Sequence, residues 1–167
     1  KYILPERIDF NTGAINTFVD CRNRVYVPYL NGNFRVANAA TGDSICMINL
    51  WYRSYGDYFL MYAPSTTMFI AVFSSSQETY IHRFATDHDV PQQELQLNYP
   101  ERVWLCRLSA DGQRMYVMHG AFGATSSKIG FVDILETATF TSVGHIDRPA
   151  YADDQGIGTF AVGQDHF

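Results

Sequence analysis

Cysteine is scarce in this chain of 167 residues, and its spacing argues against a zinc-binding motif. The three cysteines, Cys21, Cys46 and Cys106, are far apart in the sequence and include no close pair of the kind that holds zinc. An odd number also argues against a disulfide framework. Each lies in or near an apolar, strand-like stretch, where cysteine ordinarily acts as a small buried residue. The pattern leaves the redox state of all three open.

Charge is also low, and basic residues are outnumbered. Charged residues make up 17% of the chain, with 17 acidic and 12 basic side chains and a net charge of −5. A protein that binds nucleic acid through its phosphates needs a basic surface, so this composition argues against that class. There is no run of roughly 18 apolar residues, which excludes an apolar transmembrane helix. The hydrophobic fraction of 47% excludes intrinsic disorder.

Sequence motifs for catalysis are missing as well. The chain has no Gly-x-Ser-x-Gly nucleophile motif, no glycine-rich phosphate loop, no His-Glu-x-x-His sequence and no closely spaced histidine pair. We therefore predict no catalytic residue, no metal site and no cofactor bound within this chain.

What the sequence does contain is a repeat. Four apolar segments share a strand-like pattern centred on an aromatic residue, at Tyr26, Phe69, Tyr116 and Phe160. Successive members are 43, 47 and 44 residues apart. A period near 45 fits four antiparallel strands with their turns, which is one blade of a β-propeller.

A second marker, arginine, has nearly the same period. Arg7, Arg53, Arg102 and Arg148 are 46, 49 and 46 residues apart. No stretch shows sustained helical periodicity, and turn residues interrupt the chain every ~8–12 residues. We predict an all-β fold of about three and a half to four four-stranded blades, part of a larger propeller such as a seven-bladed one. The chain is then a single partial domain, 1–167, with units 1–52, 53–100 and 101–147 and an incomplete unit 148–167.

The third unit shows the strand pattern most clearly. It predicts a tight turn at Asp111-Gly112 between two strands, since this dipeptide favours short hairpins. The four strands are predicted at 103–108, 114–119, 128–134 and 139–143.

The same unit resembles a known repeat family. The sequence from Leu108 to Val117, followed by Ile129 to Ile134, resembles the YVTN-type β-propeller repeat. The flanking sequences Tyr99 to Val103 and Gly123 to Asp133 are similar to the heavy subunit of the quinoprotein amine dehydrogenases. The resemblance is strongest over 78–146 and weaker in the first two units.

This resemblance implies a noncatalytic scaffold subunit of a seven-bladed propeller. It further implies a periplasmic or extracellular location and a tryptophan-derived quinone cofactor held in a separate partner subunit. The chain departs from that pattern in length, because it supplies about half the expected units. We expect it to be, in order of preference, a fragment of a longer polypeptide, part of a propeller that several chains close together, or a small four-bladed ring. Its partners are then a protein or the remaining blades.

The candidate ligand-binding residues lie where one unit crosses to the next, near the mouth of a propeller channel. Arg7, Arg53, Arg102 and Arg148 could bind a carboxylate or phosphate there. Equally, each arginine could tie neighbouring blades together by bonding carbonyls or a carboxylate. His145 and Asp147 share the crossover with Arg148, so His145 is either an acid–base group or a solvated loop residue.

Three functions remain open from the sequence. The first is a noncatalytic scaffold or binding subunit that supports a redox partner. The second is a YVTN-type propeller hydrolase or lactonase, which requires Arg102, His145 and Arg148 to meet in one pocket. The third is a structural surface repeat protein. Fold alone does not choose among them, because function depends on the site.

Overall fold

The structure is a computed structural model and describes residues 17–28, 33–50, 57–63, 66–75, 78–99, 102–120 and 129–147. Within these ranges every helix or strand assigned is a β-strand, and the strands form three sheets of four. Strands that follow one another in the chain pair antiparallel within each sheet. No helix capable of crossing a lipid bilayer is found in the described part of the chain.

Each sheet is a meander whose strands are numbered here in chain order. The first sheet contains β1 (Phe18–Val19), β2 (Arg24–Pro28), β3 (Asn33–Asn38) and β4 (Ser44–Asn49). The second contains β5 (Asp57–Tyr62), β6 (Met68–Ser74), β7 (Thr79–Ala85) and β8 (Gln92–Tyr99). The third contains β9 (Val103–Leu108), β10 (Arg114–Gly120), β11 (Ile129–Glu136) and β12 (Ser142–Ile146).

The sheets confirm the prediction of an all-β chain built from four-stranded units, but one strand was predicted wrongly. The segment 139–143 was expected to form the last strand of the third unit, which instead runs from Ser142 to Ile146. Phe140 has a φ of 57° and donates its backbone N–H to the carbonyl of Glu136, so these residues form a turn. The β-branched threonines there suggested a strand, yet Thr139 uses its hydroxyl to bond the Glu136 carboxylate.

The predicted turn at Asp111-Gly112 is present between β9 and β10. Asp111 accepts hydrogen bonds from the Ser109 hydroxyl and the Gln113 backbone N–H, as turn aspartates do. Gly112 has a φ of 69°, and a Cβ there would lie 2.6 Å from Cβ of Ala63 in the second sheet. Glycine is therefore required both by the backbone and by the neighbouring sheet.

The first and second sheets pack face to face along an interface that we call the first seam. It is mainly aromatic, with Tyr26 and Phe34 from the first sheet and Phe69 and Phe84 from the second. The rings of Phe69 and Phe84 stack with centroids 4.7 Å apart, and Phe34 meets both edge-on. Stacked and edge-on pairs stabilise such a core beyond the area they bury.

The second seam lies between the second and third sheets and is mainly aliphatic. Ile70 and Val72 of β6 face Met115 and Val117 of β10 across it. Side chains alternate along a strand, so the neighbouring Phe69 and Ala71 of β6 point instead into the first seam. Both faces of β6 are therefore buried.

This alternation corrects the repeat alignment. Tyr26 faces the sheet that follows it, whereas Phe69 faces the sheet that precedes it. Tyr116 lies on the face of the third sheet opposite the second seam. Ile70, not Phe69, has the orientation of Tyr26 and Tyr116, because a shift of one residue moves a side chain to the other face. Phe160 lies outside the described residues.

Candidate functional site

The meander topology gives the second and third sheets two distinct ends. The turn end carries the first and last hairpin turns of each sheet, including 109–113 and 137–141. The opposite end, here called the crossover end, carries the middle connection and the passage from one sheet to the next. The predicted site residues Arg102, His145 and Asp147 all lie at or near the crossover end.

A cluster of polar side chains collects at this end, on the face of the third sheet that packs in the second seam. Asp133 of β11 is the direct strand partner of both Val117 of β10 and His145 of β12. His119 follows Val117 by two residues and therefore lies on the same face. Tyr99, the last residue of β8, reaches the cluster from the second sheet. We call Tyr99, His119, Asp133, His145 and Asp147 the His–Asp cluster.

Asp133 is the centre of the His–Asp cluster. Its Oδ2 accepts hydrogen bonds from the Tyr99 hydroxyl and, at 2.9 Å, from Nε2 of His119. Its Oδ1 accepts one from Nδ1 of His145 at 2.6 Å. Nε2 of His145 donates in turn to Oδ1 of Asp147 at 3.1 Å. Both carboxylate oxygens of Asp133 are thus already bonded within the protein.

The cluster runs from the interior to the surface. The exposed fractions of the side chains are 4% for His119, 21% for Asp133, 43% for His145 and 92% for Asp147. His119 is held edge-on against Phe131, with ring centroids 3.9 Å apart, and against Tyr99 at 5.1 Å. Its outer members are therefore available to a partner, whereas its inner members belong to the core.

The hydrogen bonds fix the charges in the cluster. Burial acts to raise the pKa of Asp133, but the bonds from Tyr99, His145 and His119 hold that pKa below its usual value. The bond to Asp133 raises the pKa of His145, and Asp147 adds to this. An imidazole that donates from both nitrogens must carry both protons, so this geometry describes a cationic His145 between two carboxylates.

This arrangement limits the chemistry available. A cationic His145 must lose a proton and its contact with Asp147 before it can act as a base. Among the described residues, no three or more His, Cys, Asp or Glu side chains are placed to hold a metal ion. The cluster is thus arranged as a network of ion pairs with an exposed polar edge.

The structure brings together two of the six predicted ligand-binding residues, His145 and Asp147. Arg102 is half-buried just before β9, whose first residue, Val103, donates its N–H to the Ser74 hydroxyl across the second seam. Arg7, Arg53 and Arg148 lie outside the described residues, so the arginine ring stays a prediction.

Two arginines outside the predicted set, Arg24 and Arg83, donate to backbone carbonyls of the next sheet, and neither was predicted from the sequence. Arg24 of β2 is buried and paired with Asp20, with Nη2 2.7 Å from Oδ2. Its guanidinium also donates to three carbonyls in the β7–β8 turn of the second sheet, those of Thr86, His88 and Asp89. The buried Arg24 therefore ties the two sheets together at the turn end of the first seam, where the exposed Arg22 also pairs with Asp89.

The second seam has a matching tie. Arg83 of β7 donates from Nη1 to the carbonyls of Thr137 and Ala138, in the β11–β12 turn of the third sheet. Each tie therefore joins an arginine of one sheet to the last hairpin turn of the next. A cavity of about 250 Å³ lies beside Arg83 at the turn end, and no member of the His–Asp cluster lines it.

Weak sequence signals for these ties exist. Arg83 lies in a short strand-like stretch that contains Ile81, Phe84 and Ala85, and Arg24 follows a short Asp-containing turn directly before an apolar strand. A charged residue in such a place is rarely buried unless it is paired. The sequence does not show which carbonyls it meets, because these lie about 55 to 65 positions away.

Comparison with known proteins shows the fold. No protein-family model matches the chain, and no curated protein matches it. The β-propeller domain of Cps50 (Swd1) from Myceliophteria thermophila is similar in structure, with a TM-score of 0.59 and 13% identity, over 80% of this chain and 40% of that one. A eukaryotic initiation factor matches with a TM-score of 0.56 and 11% identity, over 85% of this chain and 34% of that one.

These matches identify the three sheets as blades of a β-propeller. The chain spans less than half the length of either similar structure. The three sheets therefore correspond to part of each of these similar structures. At such low identity the matches carry the fold and nothing about activity.

Proposed function

We propose that this chain is part of a noncatalytic β-propeller that acts as a binding scaffold and presents its crossover end to a protein partner. The proposal is supported by the propeller fold and by the state of the His–Asp cluster. Loops and strand ends held on a rigid scaffold are common binding surfaces. Here the exposed edge of the cluster, His145 and Asp147, is held by the half-buried Asp133.

One observation carries the proposal. Asp133 accepts hydrogen bonds from Tyr99, His119 and His145, so the carboxylate at the centre of the cluster is used internally. A carboxylate that itself acts as general base or nucleophile needs an open position for substrate, and Asp133 has both oxygens bonded. The remaining exposed groups, an imidazolium and a carboxylate, suit recognition of a polar protein surface.

The finer form of the proposal follows the resemblance of the third unit to amine dehydrogenase heavy subunits. In that form the partner subunit carries the quinone and the redox chemistry, and this chain orients it. A periplasmic or extracellular location belongs to this form of the proposal. Arg7, Arg53 and Arg148 are then expected at the same end as Arg102 and His145.

The test is a comparison of binding by two charge-reversal variants. We would isolate the native assembly, identify the stoichiometric partner, and measure its affinity for Asp147→Lys and for Asp43→Lys. Asp43 lies in the β3–β4 turn of the first sheet, away from the crossover end of the third sheet, and serves as the matched control. We expect Asp147→Lys to weaken binding about tenfold, which is roughly 1.4 kcal/mol, and Asp43→Lys to leave it unchanged.

Equal binding by the two variants would place the partner elsewhere and refute the proposed face. The visible absorbance of a quinone in the purified partner would support the finer form. A partner without that absorbance removes the finer form and leaves the scaffold function standing.

A hydrolytic function is the second candidate, because Asp133 bonds Nδ1 of His145 as an orienting carboxylate bonds a catalytic histidine. The purified chain can be assayed with aryl esters and lactones beside a His145→Gln variant. The scaffold proposal expects no turnover that depends on His145. Turnover that His145→Gln abolishes, with the fold intact, would replace the scaffold function by the hydrolytic one.

A further inference from the structure

The last strand of each sheet has an outer edge with which no described strand pairs. These edge strands are β4, β8 and β12, and each pairs with its one neighbour through a single bulge. β8 carries Glu94 and β12 carries His145, and a charge on an edge strand opposes the addition of another strand. β4 (Ser44–Asn49) carries no charged side chain. It is therefore the edge that is best suited to accept a further strand.

The side chains along the edge of β4 are apolar and open. Ile45 and Met47 point away from the first seam and are 40% and 48% exposed. Farther across the same face of the sheet, Val27 and Ala37 are buried. A partner therefore meets this face along β4 and not over its centre. Exposed aliphatic side chains placed together are typical of an interaction surface.

Arg35 of β3 determines which partner fits beside β4. It is the direct strand partner of Met47, so it lies on the same face next to the edge. Its side chain is half-buried, and its Nε is buried without a hydrogen-bond partner. Arg24 and Arg83 each pair with a carboxylate, whereas no described carboxylate pairs with Arg35. A half-buried cation without a counterion favours a carboxylate supplied from outside.

We propose that β4 accepts an extended segment of another protein as an added strand, and that a carboxylate of this segment pairs with Arg35. Backbone hydrogen bonds to the free edge of β4 supply affinity, and alternate side chains of the segment supply specificity. The added strand lies two strand spacings, about 9.6 Å, from β3, a distance that an arginine and a glutamate side chain span together. Apolar side chains on the same face of the segment cover Ile45 and Met47.

The proposal uses a part of the first sheet that neither seam uses. Both seams are contacts between sheet faces, whereas an added strand bonds the edge of β4 in the plane of the sheet. It therefore does not depend on how much of a propeller this chain supplies. It is also separate from the scaffold function, which concerns the crossover end of the third sheet.

The probe for this site is a displayed library of random peptides of about ten residues, long enough to form one strand. The library would be selected on the native assembly that contains this chain, and the enriched peptides synthesised for affinity measurements. We expect them to share one acidic residue flanked by apolar residues at alternate positions. Amide hydrogen exchange should show added protection in β4 when the peptide binds, and none in β8 or β12.

Two variants test the part played by Arg35. Arg35→Gln removes the charge and should weaken peptide binding at least about tenfold. Met47→Glu keeps Arg35 but places a carboxylate directly beside it, so it should compete with the peptide and weaken binding by at least as much. The matched control is Arg107→Gln, which should leave binding unchanged. Arg107 is also half-buried, but it lies in the third sheet and donates to the carbonyl of Cys106.

Three results would overturn the proposal. Failure of the library to enrich any peptide would show that β4 does not accept a strand. Equal binding of the enriched peptides to Arg35→Gln and to the unmodified chain would remove the carboxylate contact. Protection confined to β8 or β12 would place the added strand on another sheet. Circular dichroism establishes that each variant is folded, and Met47→Glu tests the same contact with Arg35 in place.

Discussion

At the scale of single residues, His82 makes the stability of the fold sensitive to acid. Its side chain is buried in β7, on the same side of the sheet as Phe84. Its Nδ1 lies 3.2 Å from Oε1 of Gln93. Burial lowers the pKa of His82 to about 4, although the bond to Gln93 acts in the opposite direction. In the unfolded chain the pKa is roughly 6.5, so between these values the unfolded state binds a proton that the folded state does not.

The free energy of unfolding should therefore fall as pH is lowered from about 6.5 to 4, by about 1.4 kcal/mol per pH unit from this residue. Urea unfolding of the unmodified chain and of His82→Gln across this range measures it. We expect a shallower pH dependence in the variant. Parallel curves of unfolding free energy against pH for the two proteins would contradict a lowered pKa of His82.

His145 should act in the opposite direction. Its bond to Asp133 raises its pKa, so its contribution to stability is complete below about pH 6.5 and is lost as pH rises through the raised value. The difference in melting temperature between the unmodified chain and His145→Gln should be largest in mild acid and disappear at alkaline pH. NMR titration of the ring protons of His82 and His145 should show pKa values displaced to opposite sides of 6.5. A His145 value below 6.5 would refute the ion-pair network.

At the scale of strands and turns, Gly112 couples the third sheet to the second. Gly112→Ala should destabilise the protein by about 2–4 kcal/mol, because it combines a positive φ with a Cβ that meets Ala63 and Thr66. Gly42→Ala is the control, since Gly42 has a φ of 79° but is exposed in the β3–β4 turn. Chemical unfolding measures both, and equal losses would show that contact with the second sheet contributes nothing.

The strands and turns also show how much of the fold could be predicted from the sequence. Alternating apolar residues and the turn glycine predicted the bounds of β9 and the position of Gly112, since these signals are local. The turn at 137–141 was missed because Thr139 and Phe140 are typical strand residues and are held in a turn by bonds to Glu136. The contact of His119 with Asp133 depends on a register that also contains a bulge, so spacing alone could not predict it.

At the scale of the whole molecule, the period predicted the number of strands per unit but not which face each residue takes. Taking Phe69 as the equivalent of Tyr26 is wrong by one residue, and that shift exchanges the two seams. The ties at Arg24 and Arg83 could not be predicted from the sequence either. Each arginine bonds backbone carbonyls of the next sheet, and backbone carbonyls carry no sequence signature. What repeats along this chain is the strand meander, whereas the seams are specific to each pair of neighbours.

If the seams are separate units, each should open on its own, as neighbouring units do in repeat proteins. Two cysteines report on this, since Cys46 packs at the first seam and Cys106 is fully buried at the second. Burial raises the pKa of both thiols, and both the half-buried Cys46 and the buried Cys106 become more accessible when their seam opens, so opening should speed their reaction with a thiol reagent. Arg24→Met should speed labelling of Cys46, and Arg83→Met should speed labelling of Cys106, each by about tenfold for roughly 1.4 kcal/mol of lost stabilisation.

The charge of Arg24 lowers the pKa of Cys46, so its removal alone would slow labelling of that thiol. Faster labelling in Arg24→Met therefore reflects opening and not a more reactive thiolate. Cys21 is exposed but bonds Tyr62 beside the Arg24 tie, so a small free thiol labelled in parallel corrects for differences in reagent. If Arg24→Met instead accelerated Cys46 and Cys106 equally, the three sheets would open as one cooperative unit, and the seams would not be energetically separate.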